Sequence, residues 1–455
     1  MVPRVILFHL PPAGGDFFPI SLGYIAASLK SAGVDVVIED LTLENPKNLT
    51  QLYALVADFK PGIIGFSAYQ WNMLSILSLA GFFKKINPSI KVVIGGPQAT
   101  FMPQQALFHL PHVDAICRGE GEVVISDLAR CLVENKDMAE VPGILFRRGN
   151  KLIETAAKPL ICDLDMLPSP YQSGVFDLVQ HKTVTMLASR GCTFNCAFCY
   201  TPKAFKQKIR SHSAQRVLSD MEFCLQRGLH DFFFCDPSFT YDKSKVSRIM
   251  QEIARRRWKL SIWCTTRTDL VDHRLLSLMA RAGVKTIAYG LEAADPAVLR
   301  AVNKRLNLNK FKEVVLFTKK LGIETEVYSM FNLPAQDYAS AQSTLGLLRE
   351  LGIEIKNNSF GQQLCVYFGT AIFDKPFKFK VQVMPDENRP PFLSCGFNFK
   401  TPFMSKQEVK LIQQQYVNQN LLLAFKENKN YKLADSLSRT RSAGKLPYAL
   451  CKTMF

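Results

Sequence analysis

Residues 189–200 read SRGCTFNCAFCY. Three cysteines, Cys192, Cys196 and Cys199, stand there at C-x3-C-x2-C spacing, and no fourth follows nearby. A structural zinc site closes with four protein ligands. This stretch supplies three and leaves one position open. Immediately before it, residues 183–189 (TVTMLAS) alternate in the manner of a strand that runs straight into the cysteine loop.

Three thiolates can hold three irons of a 4Fe–4S cluster and leave the fourth iron open. The competing reading is a zinc site completed by a distant His or Cys. The preceding strand, the Phe198-Cys199-Tyr200 context and the pattern downstream favour the cluster. Apolar runs at 231–235, 260–265, 286–291, 324–331 and 356–367 alternate with helical stretches. With the strand before the cysteines they make six β-α units, which suits a partial (β/α)6 barrel. Such barrels gather functional side chains at the carboxyl ends of their strands. Those ends carry Asp236, Arg267 and Glu292, then the turns NLPAQD and FGTAIF. Taken singly, Asp236 and Arg267 read either as an ion pair within the barrel or as cofactor contacts.

The first third has its own β-α rhythm. Strand candidates at 5–8, 34–38, 62–67, 91–94 and 115–117 alternate with helical stretches at 20–31, 49–59, 73–85 and 123–132. Repeated β-α units imply a doubly wound α/β fold, a parallel sheet covered on both faces. Ligands of such sheets bind at the carboxyl ends of the strands. Here those ends carry Ser67, then Gly95-Gly96-Pro97-Gln98, then Arg118-Gly119-Glu120-Gly121-Glu122. Small residues there let a large flat ligand approach the backbone; the other reading is that the glycines only make tight turns. With no G-x-G-x-x-G, a dinucleotide is disfavoured.

The cysteine stretch resembles the C-x3-C-x-aromatic-C motif of the radical S-adenosylmethionine (SAM) superfamily, with Phe198 as the aromatic. The segments PISLGYIAASLKSAG, KPGIIGFSAYQWN, VVIGGPQAT and VDAICRGEGE resemble the cobalamin-binding domain at the front of many radical SAM enzymes, over nearly all of residues 4–134. The resemblance implies a Rossmann-like cobalamin-type domain, a partial radical SAM barrel and a small α-rich cap. It implies that Cys192, Cys196 and Cys199 hold a 4Fe–4S cluster whose open iron chelates SAM. An electron then breaks the S–C5′ bond to give methionine and a 5′-deoxyadenosyl radical. It also implies SAM contacts at Phe198, Tyr200, Asp236, Arg267 and Glu292. Cobalamin contacts are implied at Ser67, Gly95, Gly96, Gln98, Gly119, Glu120 and Gly121. Three departures stand out. The turn HLPPAGGDFF lacks the D-x-H-x-x-G by which another cobalamin-domain group delivers an axial histidine, so no histidine from that motif is expected on cobalt. NLPAQD has Asn332 and Ala335 where the family's G-L-P-G turn has glycines. FGTAIF has Phe368 in place of the proline of P-G-T.

The resemblance implies cobalamin-dependent methylation of an unactivated carbon of a small molecule or peptide. The alternative is a non-methylating radical reaction (dehydration, cyclisation or rearrangement) with or without cobalamin. RNA methylthiolation is discounted, because that family uses three further N-terminal cysteines and residues 1–116 contain none. From a different class, the rival is a non-catalytic zinc-stabilised scaffold.

At 455 residues the chain exceeds one compact core. The expected division is a cobalamin-type domain at 1–140, a linker at 141–175 with a hairpin around Gly149-Asn150, a barrel at 176–375 and a cap at 376–455, helical at 406–425 and 430–437. No apolar run is long enough to span a bilayer, and no signal-peptide pattern opens the chain. Apart from the cluster, the twelve cysteines are scattered, which points to reduced thiols and a cytoplasmic setting. No second C-x2-C announces an auxiliary cluster. The formal net charge of +17 suits a low-potential electron donor such as an acidic flavodoxin or ferredoxin. Nucleic acid is not indicated, because no basic block is interleaved with aromatics.

Overall fold

The computed structural model describes residues 4–11, 18–41, 47–353, 363–384 and 398–415. Its first sheet contains β1 (Arg4–His9), β2 (Asp35–Asp40), β3 (Ile63–Ser67), β4 (Lys91–Gly95) and β5 (Ala115–Cys117), all parallel, in the order β2-β1-β3-β4-β5. The chain reverses its direction of travel between β1 and β3, which is where ligands of doubly wound sheets collect. Both faces are buried. Val5, Leu7, Ile63 and Val93 pack under α1 (Ile20–Ser31) and α5 (Gly121–Val133). Ile6, Phe8, Ile64 and Phe66 pack under α2 (Leu49–Phe59) and α3 (Met73–Ile86). A short α4 (Pro97–Phe101) follows β4 directly. The hairpin in the connecting stretch is β6 (Ile144–Arg148) and β7 (Lys151–Glu154). It pairs antiparallel with β5 and extends the first sheet to seven strands, so β5 is not left as an open edge.

The second sheet has five parallel strands: β8 (Thr183–Met186), then beyond the cysteine loop β11 (Asp231–Phe234), β12 (Ser261–Thr266), β13 (Val284–Glu292) and β14 (Glu324–Ser329). A two-stranded pair, β9 (Ser189–Arg190) and β10 (Arg210–Ser211), brackets the loop. The helices are α6 (Thr201–Ala204), α7 (Ala214–Leu225), α8 (Lys243–Arg256), α9 (His273–Arg281), α10 (Pro296–Ala301), α11 (Leu308–Lys320) and α12 (Tyr338–Glu350). Alternate strand residues such as Phe232, Phe234, Ile262, Cys264 and Ile287 share a core with this helical shell. Of the sixth expected strand, residues 354–362 lie outside the described residues; Gln363 bridges Phe331 in parallel. After α13 (Ala371–Asp374) come β15 (Gln382–Met384), antiparallel to β16 (Asn398–Lys400), and a helix over residues 406–415. The remainder of the expected helix at 406–425, and the one at 430–437, lie outside the described residues.

A shared core joins the halves. One apolar cluster runs from Ile64 and Phe66 of the first sheet to Ala197 of the cysteine loop and to Ala293, Leu333 and Phe368, which lie beyond the barrel strands. Helix starts also differ between the halves. Each of α7 to α12 opens on a capping side chain: Ser213, Asp242, Asp272, Asp295, Asn307 and Asp337. In the first domain α2 has a capping box from Asn48 and Gln51, but α1, α3, α4 and α5 open with no side-chain cap. Among the described residues no helix is long and apolar enough to cross a membrane.

Candidate functional site

The cysteine loop is clamped from both sides. The amide of Ala197 donates to Val302 O at 2.8 Å, and Asn303 Nδ2 donates to Asn195 O at 2.7 Å. The amide of Ile372 donates to Ala197 O at 3.1 Å. Gly191 has φ +97°, and a Cβ on it would stand 2.0 Å from Lys208 O. Only glycine allows that approach, and it delivers Cys192 one residue later. All three thiols are unpaired. Burial raises the pKa of Cys192, and it pushes Cys196 up to about 11 against the opposing charge of Lys304. Binding iron therefore displaces protons from these thiols. Among the described residues no group of three His, Cys, Asp or Glu side chains is arranged to hold a metal ion.

Charges surround the loop. Arg267 lies over the Phe194 ring at 3.8 Å and forks onto Asp269 at 2.9 and 2.7 Å. Glu292 ends β13 with φ +66° and accepts from Lys304 Nζ at 2.9 Å, both side chains being buried. Lys304 was not expected from the sequence. It lies close enough to Cys196 to oppose the rise of its pKa. Asp236 faces inward. It is fully buried, and its carboxylate accepts from the Ala188 amide at 3.0 Å and from Ser189 Oγ, fastening β11 to the strand before the loop. Burial raises its pKa. Phe198 is half-buried against the shared apolar cluster. Of the two altered turns, Asn332 and Ala335 keep the left-handed backbone that glycines would take, at φ +60° and +65°. Phe368 fills core and stacks edge-on with Phe373.

A cavity of about 460 Å³ opens where the first sheet's carboxyl edge meets the cysteine loop. Small-molecule sites span about 300–1,000 Å³. From the first domain it is lined by Ser67, Gly95, Gly96, Gly119, Glu120 and Gly121. From the barrel side Arg190, Gly191, Tyr200 and Cys235 line it. Gln98 is not on that wall; it is buried in α4. The glycines differ in what they are for. A Cβ on Gly96, at φ +90°, would stand 3.0 Å from Ala68 O, so the backbone itself demands glycine. A Cβ on Gly95 would meet nothing closer than Cys117 Cβ at 3.6 Å. Its smallness keeps the cavity open rather than the chain unstrained, and a cradle a side chain would fill suits a large flat cofactor such as cobalamin.

Behind the cavity a buried ionic network ties the halves. Arg190, next to Gly191, donates to Glu120 at 2.9 Å and to Glu122 at 2.6 Å. Arg210 donates to the other oxygen of Glu120 at 2.6 Å. Burial alone would raise the Glu120 carboxyl, but Arg210, Arg190 and the Ile161 amide outweigh it and hold it below its usual value. The Arg190 guanidinium stands 5.0 Å over Tyr24, whose hydroxyl pairs with His212 Nε2 at 2.9 Å. His212 Nδ1 meets Asp165 at 2.8 Å. Glu120 thus lines the cavity with its carboxylate already engaged. Arg190 was visible in the quoted motif, but its partners lie about seventy residues upstream and no local pattern joins them.

Comparison with known proteins agrees with this layout. Residues 10–129 match the B12 binding domain family, and residues 186–348 match the Radical SAM superfamily. The chain is 25% identical over 430 residues to an uncharacterized methyltransferase of Pyrococcus horikoshii, covering 91% of this chain and 92% of that one. It is 29% identical over 360 residues to the anaerobic magnesium-protoporphyrin IX monomethyl ester cyclase of Rubrivivax gelatinosus, covering 75% of this chain but only 64% of the cyclase. In fold it is similar to the radical S-adenosylmethionine methyltransferase TsrM of Kitasatospora setae, with a TM-score of 0.73 at 18% identity over 86% of this chain and 80% of that one.

Proposed function

We propose that this chain, which belongs to the radical SAM enzymes that carry an N-terminal B12-binding domain, methylates an unactivated carbon of a small molecule or peptide. When bound, the cluster and SAM supply a 5′-deoxyadenosyl radical, and cobalamin supplies the methyl group. The observation that carries this reading is the cavity shared by the first sheet's carboxyl edge and the residues on either side of the cysteine loop, Gly191 and Tyr200; Cys192, Cys196 and Cys199 are not on its wall. The protein's part is to hold radical source, substrate and methyl donor in one place away from water. Cys192, Cys196 and Cys199 would hold the cluster, with Arg267, Lys304 and Glu292 setting the charge around it. Ser67, Gly95 and Gly119 to Gly121 would form the wall against cobalamin. Its reductant would be a low-potential flavodoxin or ferredoxin, and the ten unpaired cysteines among the described residues suit a reducing cytoplasm.

The similarity to cyclases favours one second reading, radical cyclisation without methyl transfer. Products separate the two. With reductant, SAM and added cobalamin, a methylating enzyme forms both 5′-deoxyadenosine and S-adenosylhomocysteine. A cyclising enzyme forms 5′-deoxyadenosine alone. Absence of both products under anaerobic conditions would remove the radical SAM activity itself.

A further inference from the structure

We infer that the outer side of the cysteine loop is a docking face for an acidic one-electron carrier protein. The inference rests on reading the loop as a cluster site that must take an electron from outside. Two segments lie directly on the loop. In residues 201–210 (TPKAFKQKIR), Lys208 O is pressed against Gly191. In residues 371–381 (AIFDKPFKFKV), the Ile372 amide is hydrogen-bonded to Ala197 O. An ion pair from Lys203 to Asp374, at 2.6 Å, joins the two segments.

Of the seven basic side chains in these segments, Arg210 is buried on Glu120 and Lys203 is engaged by the one acid, Asp374, which leaves Lys206, Lys208, Lys375, Lys378 and Lys380. Lys206 and Lys208 are exposed on a turn in which Lys206 and Gln207 both take left-handed backbone, at φ 51° and 54°. Lys375, Lys378 and Lys380 are exposed on the other segment. Among them Phe377 is 94% exposed, more than any other large apolar side chain among the described residues. An aromatic anchor inside a charged rim is the composition of a protein interface. Rim charge of one sign speeds encounter with a partner of the opposite sign and makes it salt-dependent. Small contacts of this kind are the rule for transient redox pairs. Lysines alone would also attract nucleic acid; the contacts of both segments with the cysteine loop, at Gly191 and Ala197, favour an electron donor. The step balances simply: the carrier loses one electron, the oxidised cluster gains it, and no proton or group moves.

The test uses the full chain and purified flavodoxin as the acidic carrier. Binding is measured by calorimetry at low and high salt for wild type and for the triple variant Lys206→Glu, Lys208→Glu, Phe377→Ala. All three side chains are exposed, so the fold should survive. The triple variant should raise Kd about ten-fold or more at low salt, with a weaker salt dependence. Lys285→Glu, exposed at the opposite, amino end of β13, should bind as wild type does. SAM cleavage driven by dithionite should be unchanged in the triple variant, while cleavage driven by flavodoxin falls. Unchanged flavodoxin affinity in the triple variant, or equal weakening by Lys285→Glu, overturns the docking face. So does a variant that loses duplex DNA binding but keeps flavodoxin. If wild type cleaves no SAM even with dithionite, the radical SAM reading fails instead, and the binding comparison still decides the docking face.

Discussion

At the carboxyl edge of the first sheet, α1, α3, α4 and α5 open with no capping side chain, and the strand ends carry Gly95, Gly96 and Gly119. At the carboxyl edge of the barrel every helix from α7 to α12 is capped by its own Ser, Asp or Asn. The barrel's strand-end charges are also matched: Arg267 with Asp269, Glu292 with Lys304, Asp236 with Ser189 and the Ala188 amide. The same β-α grammar is thus finished in two ways. One edge presents backbone and space, which suits a bulky ligand recognised by shape. The other presents fixed side chains around three thiols, which suits a small reactive centre whose charge must be set in advance. Arg190 belongs to both, since it precedes Gly191 and is gripped by Glu120 and Glu122.

The largest effect expected from separating the two edges is at the thiols. Replacing Cys192, Cys196 and Cys199 by Ala should abolish iron and sulfide incorporation and SAM cleavage, while cobalamin binding persists. A four-iron spectrum in that variant would break the assignment of the barrel edge. Next comes the joint between the edges. Removing one partner of a buried, hydrogen-bonded ion pair costs about 3–5 kcal/mol. Arg190→Met should lose stability on that scale in urea unfolding, and adding Glu122→Leu should restore part of it. A single-variant loss below about 1 kcal/mol would resemble an exposed pair and mean that the network contributes little.

A smaller effect depends on pH. Burial depresses the His212 pKa below its usual value, more than Asp165 raises it. Neutral His212 can donate from Nδ1 to Asp165 and accept from Tyr24 at Nε2; the protonated ring can no longer accept. Its folded pKa lies below its unfolded one, so its stabilising contribution is complete above about pH 6.5 and is lost as pH falls through the lower folded value. In that window stability should drop by up to about 1.4 kcal/mol per pH unit, and His212→Gln should flatten the slope. An identical slope in the variant would rule His212 out. The smallest effect is at Ala335, held at φ +65°. Ala335→Gly should gain about 0.5–1 kcal/mol by relieving a left-handed alanine. A loss in thermal or urea unfolding would show that the alanine methyl contributes packing.

Much of this contrast was legible before the structure. The C-x3-C-x2-C spacing, the strand leading into it and the Gly-rich strand ends are local signals, and local periodicity placed the five parallel strands of the first sheet. What could not be read were the pairings that docking creates. Arg190 with Glu122 and Tyr24 with His212 join residues far apart in the chain. The hairpin around Gly149 was visible as a hairpin, yet its pairing to β5 depended on which edge was left open. Asp236 read either as an ion pair within the barrel or as a cofactor contact, because residue type and position carry no direction; its carboxylate accepts from the Ala188 amide and Ser189 in the chain before the cysteines. Asn332 and Ala335 show the converse, a backbone turn kept while the residues that usually make it are absent.

We take the uncrowded edge of the first domain to be a cobalamin site that opens beside the cysteine loop, at Gly191 and Tyr200. Cobalt and corrin absorbance, measured against iron content in anaerobically prepared wild type and Gly95→Leu, test it most directly. Gly95 is the position of choice because a first side-chain carbon there meets no neighbour closer than 3.6 Å. Wild type should bind cobalamin, and Gly95→Leu should lose it while iron per chain is unchanged. Wild-type protein that binds no cobalamin, or a Gly95→Leu variant that binds it as wild type does, would contradict this reading.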